Sequence, residues 1–382
     1  MMSKVHVLIA AFIVATVLAK AVGAWAQQDD AARSRINAMA MEQKGENAEA
    51  ETLWNAILAV DPRNAEALAH MGLLEARQEH YDSAIDFYRR AITSDPNFPG
   101  LQTNLGLTLF KAGQFPDAIK SFSSEIRKNP DDQRLTILLG MAHYGMKDYL
   151  VAIPYLRRAL QRDQANVTLH VTMARSCLFS KQYRCVVDEH EALLALNSDS
   201  TEVGLMTAAA LETMNHSEEA VSELKGALQS NPNEPNLHFA LGFVLWSTGK
   251  WSEAADEFQL NLHSNPRDPK GHIYLADCLL HNQQPSNALS ELQKVTARDS
   301  AAYLLHLDLG IIYLDSRRID DALREFKIAA ESDPDNVELH RQMAKLYQSI
   351  GKKDEAKEEL ESASRMPPEH YSLWDLLEPV TP

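Results

Sequence analysis

The sequence predicts an all-α solenoid of about ten repeats, each a helix, a tight turn and a second helix. Three observations predict this fold. Proline recurs on one phase of a 34-residue period, small residues recur at two fixed positions of that period, and a bulky apolar residue recurs at a third. No segment shows the alternation of strands. The prolines on this phase are Pro62, Pro96, Pro130, Pro232, Pro266, Pro334 and Pro368.

Ten units run without insertion from residue 31 to residue 370. The residue before the proline phase is Asp or Asn in nine units, and a residue before proline leaves the helical region, which ends the second helix. Position 15 is glycine or a polar residue, where we expect a left-handed cap to end the first helix. The predicted repeats are 31–64, 65–98, 99–132, 133–166, 167–200, 201–234, 235–268, 269–302, 303–336 and 337–370.

Positions 8, 20 and 24 predict how the two helices of a repeat pack. Position 8 is Gly or Ala in every repeat and position 20 is Ala in nine of them. Position 24 is a large apolar residue except at His190. In the second repeat these positions are Gly72, Ala84 and Tyr88. We expect the small residues to let the helices approach closely and the bulky residue to fill the space beside the contact.

This pattern resembles the tetratricopeptide repeat family over about nine tenths of the chain. The resemblance implies a right-handed superhelical solenoid that binds a protein or peptide. It also implies that the inner wall is formed by first-helix positions 2, 5, 9, 12 and 13, along which the partner lies. The family's lysine and asparagine clamp for a terminal carboxylate is missing, because Arg35 and Met39 occupy positions 5 and 9 of the first repeat. An adaptor for chaperone tails is therefore disfavoured.

The charge of the chain argues against some partners. It has 37 Lys and Arg against 53 Asp and Glu, which gives a formal net charge of −16. A negative field repels phosphate backbones and anionic lipid surfaces. We therefore expect no nucleic-acid partner.

The N-terminus predicts export. Lys4 precedes an apolar run over residues 5–19, and Ala24-Trp25-Ala26 follows, as in a cleaved secretory signal. The predicted signal peptide is residues 1–26, with the mature chain beginning at Gln27 in the periplasm or outside the cell. The run is shorter than the roughly 20 residues that span a bilayer, so no membrane insertion is expected after cleavage. The alternative is an uncleaved signal that anchors the chain.

Three cysteines are too few for a disulfide-built fold and do not form a zinc pattern. One interpretation is that Cys177, Cys185 and Cys278 are buried free thiols. The other is that Cys177 and Cys185, on the two helices of one predicted hairpin, form a disulfide after export.

The sequence carries no motif of a catalytic or cofactor site. P-loop, dinucleotide-binding, zinc-protease and serine-hydrolase patterns do not occur, and uninterrupted repeats offer no insertion from which to build a cleft. We therefore predict no enzyme activity, no cofactor, no metal and no small-molecule substrate.

Position 4 is histidine in five repeats. Ring packing between the helices is our main interpretation, and pH sensing is an alternative. A shared metal is disfavoured, because ligand nitrogens must lie about 2.0–2.1 Å from the ion and successive repeats are too far apart. The five are His170, His238, His272, His306 and His340.

A second apolar stripe on the first helices of repeats three to nine is the candidate binding groove, for a hydrophobic or amphipathic segment of a partner. Two alternatives are that neighbouring helices already bury the stripe, and that the Trp374 segment folds back into it. The candidate groove residues are Leu107, Phe110, Met141, Tyr144, Phe179, Phe239, Phe243, Trp246, Ile273, Leu307 and Ile311.

The C-terminal segment, residues 371–382, is predicted to be a capping helix and tail in which Leu373, Trp374 and Leu376 cover the final hairpin. Taken together, the sequence favours an exported, non-catalytic scaffold that organises an envelope or secretion assembly. The alternative is a regulatory or chaperone-like partner subunit of an extracytoplasmic enzyme.

Overall fold

The computed structural model describes residues 32–198, 200–295, 303–366 and 373–376, with the backbone alone at 374 and 375. The predicted signal peptide and the predicted mature terminus at Gln27 lie outside these residues. All regular elements in the described ranges are helices. They form two compact units, divided between Gln164 and Ala165.

Unit 1 contains eight described helices, two for each of the first four repeats. The helices of one repeat pack against each other, and the second helix then packs against the first helix of the next repeat. The helices are α1 (32–44), α2 (Asn47–Val60), α3 (Ala65–Arg77), α4 (Tyr81–Ser94), α5 (Leu101–Lys111), α6 (Phe115–Ile126), α7 (Gln133–Gly145) and α8 (Tyr149–Leu160).

Unit 2 continues the same pattern through the remaining six repeats and ends with one short helix. Its helices are α9 (Val167–Phe179), α10 (Tyr183–Ala195), α11 (Thr201–Thr213), α12 (Ser217–Ser230), α13 (Pro235–Ser247), α14 (Trp251–Ser264), α15 (Pro269–His281), α16 (Pro285–Leu292), α17 (Tyr303–Asp315), α18 (Ile319–Ser332), α19 (Val337–Ser349), α20 (Lys353–Arg365) and α21 (Leu373–Leu376). The predicted all-α solenoid of helix pairs is confirmed.

The turn inside each repeat has the predicted left-handed residue at position 15. Gly45, Gly113, Gly249 and Gly351 have φ between 71° and 79°. The other six repeats place a non-glycine residue there, with φ between 58° and 64°: Glu79, Lys147, Lys181, Asn215, Gln283 and Arg317. This conformation is unfavourable for a residue with a Cβ, so the repeat geometry, rather than the residue type, determines the turn.

The close contact between the two helices of a repeat forms where the sequence predicts it. A Cβ added to Gly72 would lie 3.0 Å from the ring of Tyr88, and one added to Gly242 would lie 2.9 Å from the ring of Phe258. Tyr88 and Phe258 are themselves buried. In these two repeats the bulky residue at position 24 therefore packs directly on the backbone of the position-8 glycine, which leaves no room for a Cβ there.

Five first helices of the described ranges begin at an Asn or Asp on position 34 of the preceding repeat whose side chain caps the helix, and in α15 Asp268 accepts from the backbone N–H of Lys270. Asn64, Asp132, Asn166 and Asn336 accept a hydrogen bond from the backbone N–H three residues later. Such a cap satisfies one of the N–H groups that a helix start leaves without a partner.

The position-4 histidines lie between the two helices of their repeats, and each contacts a glutamate 19 residues later. The Nδ1 atom lies 2.5 to 2.8 Å from a carboxylate oxygen in all five pairs. In three of them Nε2 also lies 3.0 to 3.1 Å from a proline carbonyl before the helix. The sequence analysis missed the glutamates, although they recur at position 23: Glu189, Glu257, Glu291, Glu325 and Glu359.

The C-terminal helix is the main departure from the predicted architecture. Our main expectation was that it covers the final hairpin, α19 and α20. Its principal contacts are instead with α11 and α13, which agrees with the alternative that this segment folds back onto the first helices. The exposure of Leu360 agrees with this position of α21. This leucine occupies position 24 of the last repeat and is 45% exposed, whereas the residue at this position is at most 3% exposed in the nine preceding repeats.

Candidate functional site

The candidate site lies on the inner face of unit 2, by which we mean the side of α11, α13, α15, α17 and α19 that carries positions 2, 5, 9 and 12. These helices are first helices of consecutive repeats, so the same positions align along one side. Acidic residues interrupt the apolar stripe on this side at Glu212, Asp277 and Glu338.

In unit 1 the predicted groove residues remain partly accessible. Leu107, Phe110, Met141 and Tyr144 are all half-buried. Phe110 and Tyr144 each meet an aromatic residue of the following helix, with ring centroids 5.4 and 5.7 Å apart. This part of the stripe retains apolar surface that a ligand can contact.

In unit 2 most of the predicted groove residues are core residues. Phe239, Phe243, Ile273 and Leu307 are at most 4% exposed. They belong to one hydrophobic cluster with the neighbouring first helices and with Leu373 of the C-terminal helix. Phe239, Phe243 and Ile273 are therefore core residues rather than contact residues for a free partner, whereas Leu307 also lines the cavity described next. Trp246 and Ile311 are half-buried and Phe179 is 39% exposed.

A cavity of about 840 Å³ opens on the inner face of unit 2. Five consecutive first helices contribute to its wall, and carboxyl groups, aromatic rings and leucines share the lining. The residues are Glu212, Asn215, Ser217, Trp246, Ser247, Trp251, Asp277, His281, Tyr303, Leu304, Leu307, Val337, Glu338 and Arg341. A cavity of this size lies within the usual range for ligand sites.

Asp277 is the best-ordered acid of the cavity. The indole Nε1–H of Trp246 donates a hydrogen bond to its Oδ2 over 2.5 Å, and His281 Nε2 lies 3.7 Å from its Oδ1. Burial raises the pKa of Asp277, although the Trp246 hydrogen bond and the neighbouring His281 act in the opposite direction. The carboxyl group is thus held in one orientation and keeps its proton to a higher pH than an exposed aspartate.

Asp308 lies behind Asp277 and has no exposed surface. In the described part of the chain, neither of its carboxyl oxygens accepts a hydrogen bond from an N–H or a hydroxyl group. Burial raises the pKa of Asp308 well above its ordinary value, and the adjacent Asp277 carboxyl raises it further. Asp308 therefore keeps its proton to a higher pH than an exposed aspartate. Because Asp308 is inaccessible, the pair is not arranged to act on a substrate.

Aromatic side chains border the cavity on the side of α14. The ring of Trp251 stacks on His281 with centroids 3.9 Å apart, and Trp246 meets Trp251 edge-on at 6.3 Å. Trp246 also packs against Tyr274. Trp246 therefore supports the core as well as lining the cavity, so Trp251 is the better residue for a binding test.

The acids of the inner face were missed in the sequence analysis, which considered apolar positions alone. Glu212, Asp277 and Glu338 occupy positions 12, 9 and 2, which the family resemblance already places on the inner wall. Asking which inner-wall positions carry acids would have found them. Nothing in the sequence pattern indicated that Asp308, at position 6, would be buried.

Cys177 and Cys185 are joined in the structure, with sulfur atoms 2.01 Å and Cα atoms 5.9 Å apart. Cys278 is buried, and burial raises the pKa of its thiol. Whether the Cys177–Cys185 bond forms in the mature protein stays a prediction.

Two further properties concern the described ranges of the chain. Within them, no helix combines the length and the apolar character needed to cross a bilayer. No group of three or more His, Cys, Asp or Glu side chains there has an arrangement suited to a metal ion.

Two family models, both described as tetratricopeptide repeat, match the chain. One matches residues 37–99, 103–167 and 205–269, and the other matches residues 313–378. Together these matches cover more than half of the sequence.

Curated relatives match only over segments. BBSome complex member BBS4 of Bos taurus is 22% identical over 207 residues, which are 54% of this chain and 40% of that protein. The probable UDP-N-acetylglucosamine–peptide N-acetylglucosaminyltransferase SPINDLY of Hordeum vulgare is 29% identical over 111 residues, 27% of this chain and 12% of that protein. The chain thus spans less than half the length of either relative. Among solved structures, MamA of Desulfovibrio magneticus RS-1 matches 45% of this chain and 98% of its own at 20% identity, with a TM-score of 0.42.

Proposed function

Because the chain belongs to the tetratricopeptide repeat family, we propose that it is a non-catalytic scaffold that binds a segment of a partner protein on the inner face of unit 2. The observation that carries the proposal is the cavity of about 840 Å³ that five consecutive first helices line. The tetratricopeptide repeat is generally a non-catalytic interaction scaffold. The match to SPINDLY covers 12% of that protein, so the activity in its name is not transferred to this chain.

The lining favours an amphipathic partner segment that carries both apolar and basic residues. Leu304, Leu307 and Trp251 offer apolar surface, while Glu212 and Glu338 supply carboxyl groups beside it. The net charge of −16 acts in the same direction at longer range. A basic residue of the partner would also find aromatic faces in Trp251 and Tyr303.

We further propose that the scaffold is exported and organises an envelope or secretion assembly. Support for export comes from the apolar run and the Ala24-Trp25-Ala26 sequence. Support for an assembly role comes from the repeat fold and from the relative BBS4, which is by name a member of a complex.

Replacing Trp251 with alanine is expected to weaken partner capture about thirtyfold with little change in melting temperature. Truncating an interface aromatic often costs about 2 kcal/mol or more, and Trp251 lies at the edge of the cavity rather than in the core. The measurement is capture from the native host after crosslinking, scaled to the amount of folded protein.

Leu260→Ala is the matched control, because Leu260 is 48% exposed on α14 and does not line the cavity. It should capture the partner as the unchanged protein does. Equal capture by the Trp251→Ala and Leu260→Ala proteins would contradict binding at this cavity.

Export predicts two covalent features of protein taken from the extracytoplasmic fraction. Its N-terminus should be Gln27, and mass spectrometry should find Cys177 and Cys185 in one disulfide with Cys278 free. An oxidising compartment is where such a bond persists. An intact Met1 on membrane-bound protein would instead support the anchored alternative, and two free thiols after export would rule out the disulfide.

A further inference from the structure

The inner face of unit 2 is already contacted by a segment of the chain itself. The last described helix, α21 (Leu373–Leu376), packs on α11 and α13, which are first helices of the sixth and seventh repeats. The final hairpin, to which α21 is connected along the chain, is not its principal contact. A cap for the end of a solenoid would cover that hairpin, so the position of α21 requires another explanation.

Two contacts hold α21 on this face. Leu373 is fully buried and belongs to the hydrophobic cluster that contains Leu205, Phe239 and Ile273. At the other end of the helix, Lys270 Nζ donates a hydrogen bond to the backbone carbonyl of Leu376 over 2.6 Å. A lysine at this end satisfies a carbonyl that the helix leaves without a partner and complements the negative end of its dipole.

We propose that α21 is a built-in ligand, which occupies in cis the part of the inner face, beside the cavity, on which a short leucine-bearing helix of the partner docks. This inference rests on the proposed function of the inner face. Leu373 and Leu376 are three residues apart, so both side chains lie on one side of the helix. A partner helix with the same spacing, and with its C-terminal carbonyls directed to Lys270, reproduces both contacts.

The described contacts of α21 are suited to its displacement by a partner helix. In the described residues, one fully buried leucine, a second leucine packed against the same cluster and one charge-assisted hydrogen bond offset the ordering of the segment. Because α21 belongs to the same chain as its site, its local concentration there is raised. A partner in solution therefore competes with a weak but always present ligand, and binding is enhanced when the segment is released.

The test uses the full chain and a fluorescent peptide with the sequence of residues 366–382. The Leu373→Asp protein, in which the buried anchor is replaced with a charge, should bind the peptide at least tenfold more tightly than the unchanged protein. Leu360→Asp is the control, because Leu360 is an exposed leucine of α20, and this change should leave peptide binding unchanged. Adding Lys270→Ala to Leu373→Asp should weaken peptide binding several-fold.

Leu373→Ala is the second variant, since it releases the segment without introducing a charge. It should also increase peptide binding, with circular dichroism unchanged. Equal peptide binding by the unchanged and both Leu373 proteins would overturn the inference. If peptide binding is equal but Trp251→Ala still weakens partner capture, the proposed function stands and only the inference about α21 is lost. A different outcome is that the Leu373 variants bind the peptide more tightly but Trp251→Ala does not change partner capture. That outcome would support the contact of α21 with the inner face and overturn the proposed function.

Discussion

Replacing Asp308 with asparagine is expected to raise the free energy of unfolding of unit 2 by about 1 to 3 kcal/mol at pH 7. Asp308 has no exposed surface, and its carboxyl oxygens accept no hydrogen bond from an N–H or hydroxyl group in the described ranges. Ionising it there costs free energy that the unfolded chain does not lose. An asparagine has nearly the same shape, carries no charge and can donate to Asp277.

The sign of the pH dependence follows from the raised pKa of Asp308, which has burial as its main cause. Below the unfolded value of about 3.9 the group is protonated in both states and has no effect. As the pH rises through the folded pKa, the unfolded state has already released the proton and stability is lost. The gain from Asp308→Asn should therefore be small near pH 3.5 and full at neutral pH.

Urea unfolding at several pH values measures this effect. Asp256→Asn is the control, because Asp256 is an exposed acid on α14 in the same unit, and a surface change of this kind typically alters stability by less than about 0.5 kcal/mol. A destabilised Asp308→Asn protein at pH 7, or a gain that does not vary with pH, would contradict the raised pKa of the buried Asp308.

Replacing Gly242 with alanine is expected to destabilise unit 2 by about 1 to 3 kcal/mol. The new Cβ would lie 2.9 Å from two ring carbons of Phe258. That ring has little room to move, because it is fully buried and packs against Phe239 and Tyr274 with centroids 5.6 and 5.7 Å apart. Either the ring shifts or the two helices of the repeat separate.

Gly226→Ala is the same change in a different environment. Gly226 lies within α12, and a Cβ there would meet no atom within 4 Å. Alanine is favoured over glycine inside a helix by about 1 kcal/mol, so this protein should be more stable than the unchanged one. Thermal unfolding of both proteins should give shifts of opposite sign. Shifts of the same sign would show that position 8 is not a close contact.

Local repetition made most of the fold predictable. Position 8, position 15 and position 24 recur ten times, so each occurrence supports the others, and the turn geometry follows even at Glu79 and Lys147, which are not glycines. The position-23 glutamates were equally predictable from their recurrence beside the position-4 histidines. The inner-wall acids also stood at positions that the resemblance had already identified.

Features that occur once could not be predicted in this way. The contact of α21 with α11 and α13 joins segments about 160 residues apart, and nothing in the repeat pattern encodes it. The burial of Phe239, Phe243, Ile273 and Leu307 depends partly on that contact and partly on how closely the first helices approach. Periodicity shows that a residue lies on the inner face but not how much of that face is covered.

Site-specific photocrosslinking in the native host shows whether the inner face of unit 2 holds a polypeptide segment. A photoreactive residue at Ser247, which is exposed and lines the cavity, should crosslink to a partner segment with leucines and basic residues, identified by mass spectrometry. The same residue at Lys225, exposed on α12, should not. Crosslinks to a partner from Lys225 and none from Ser247 would contradict the account.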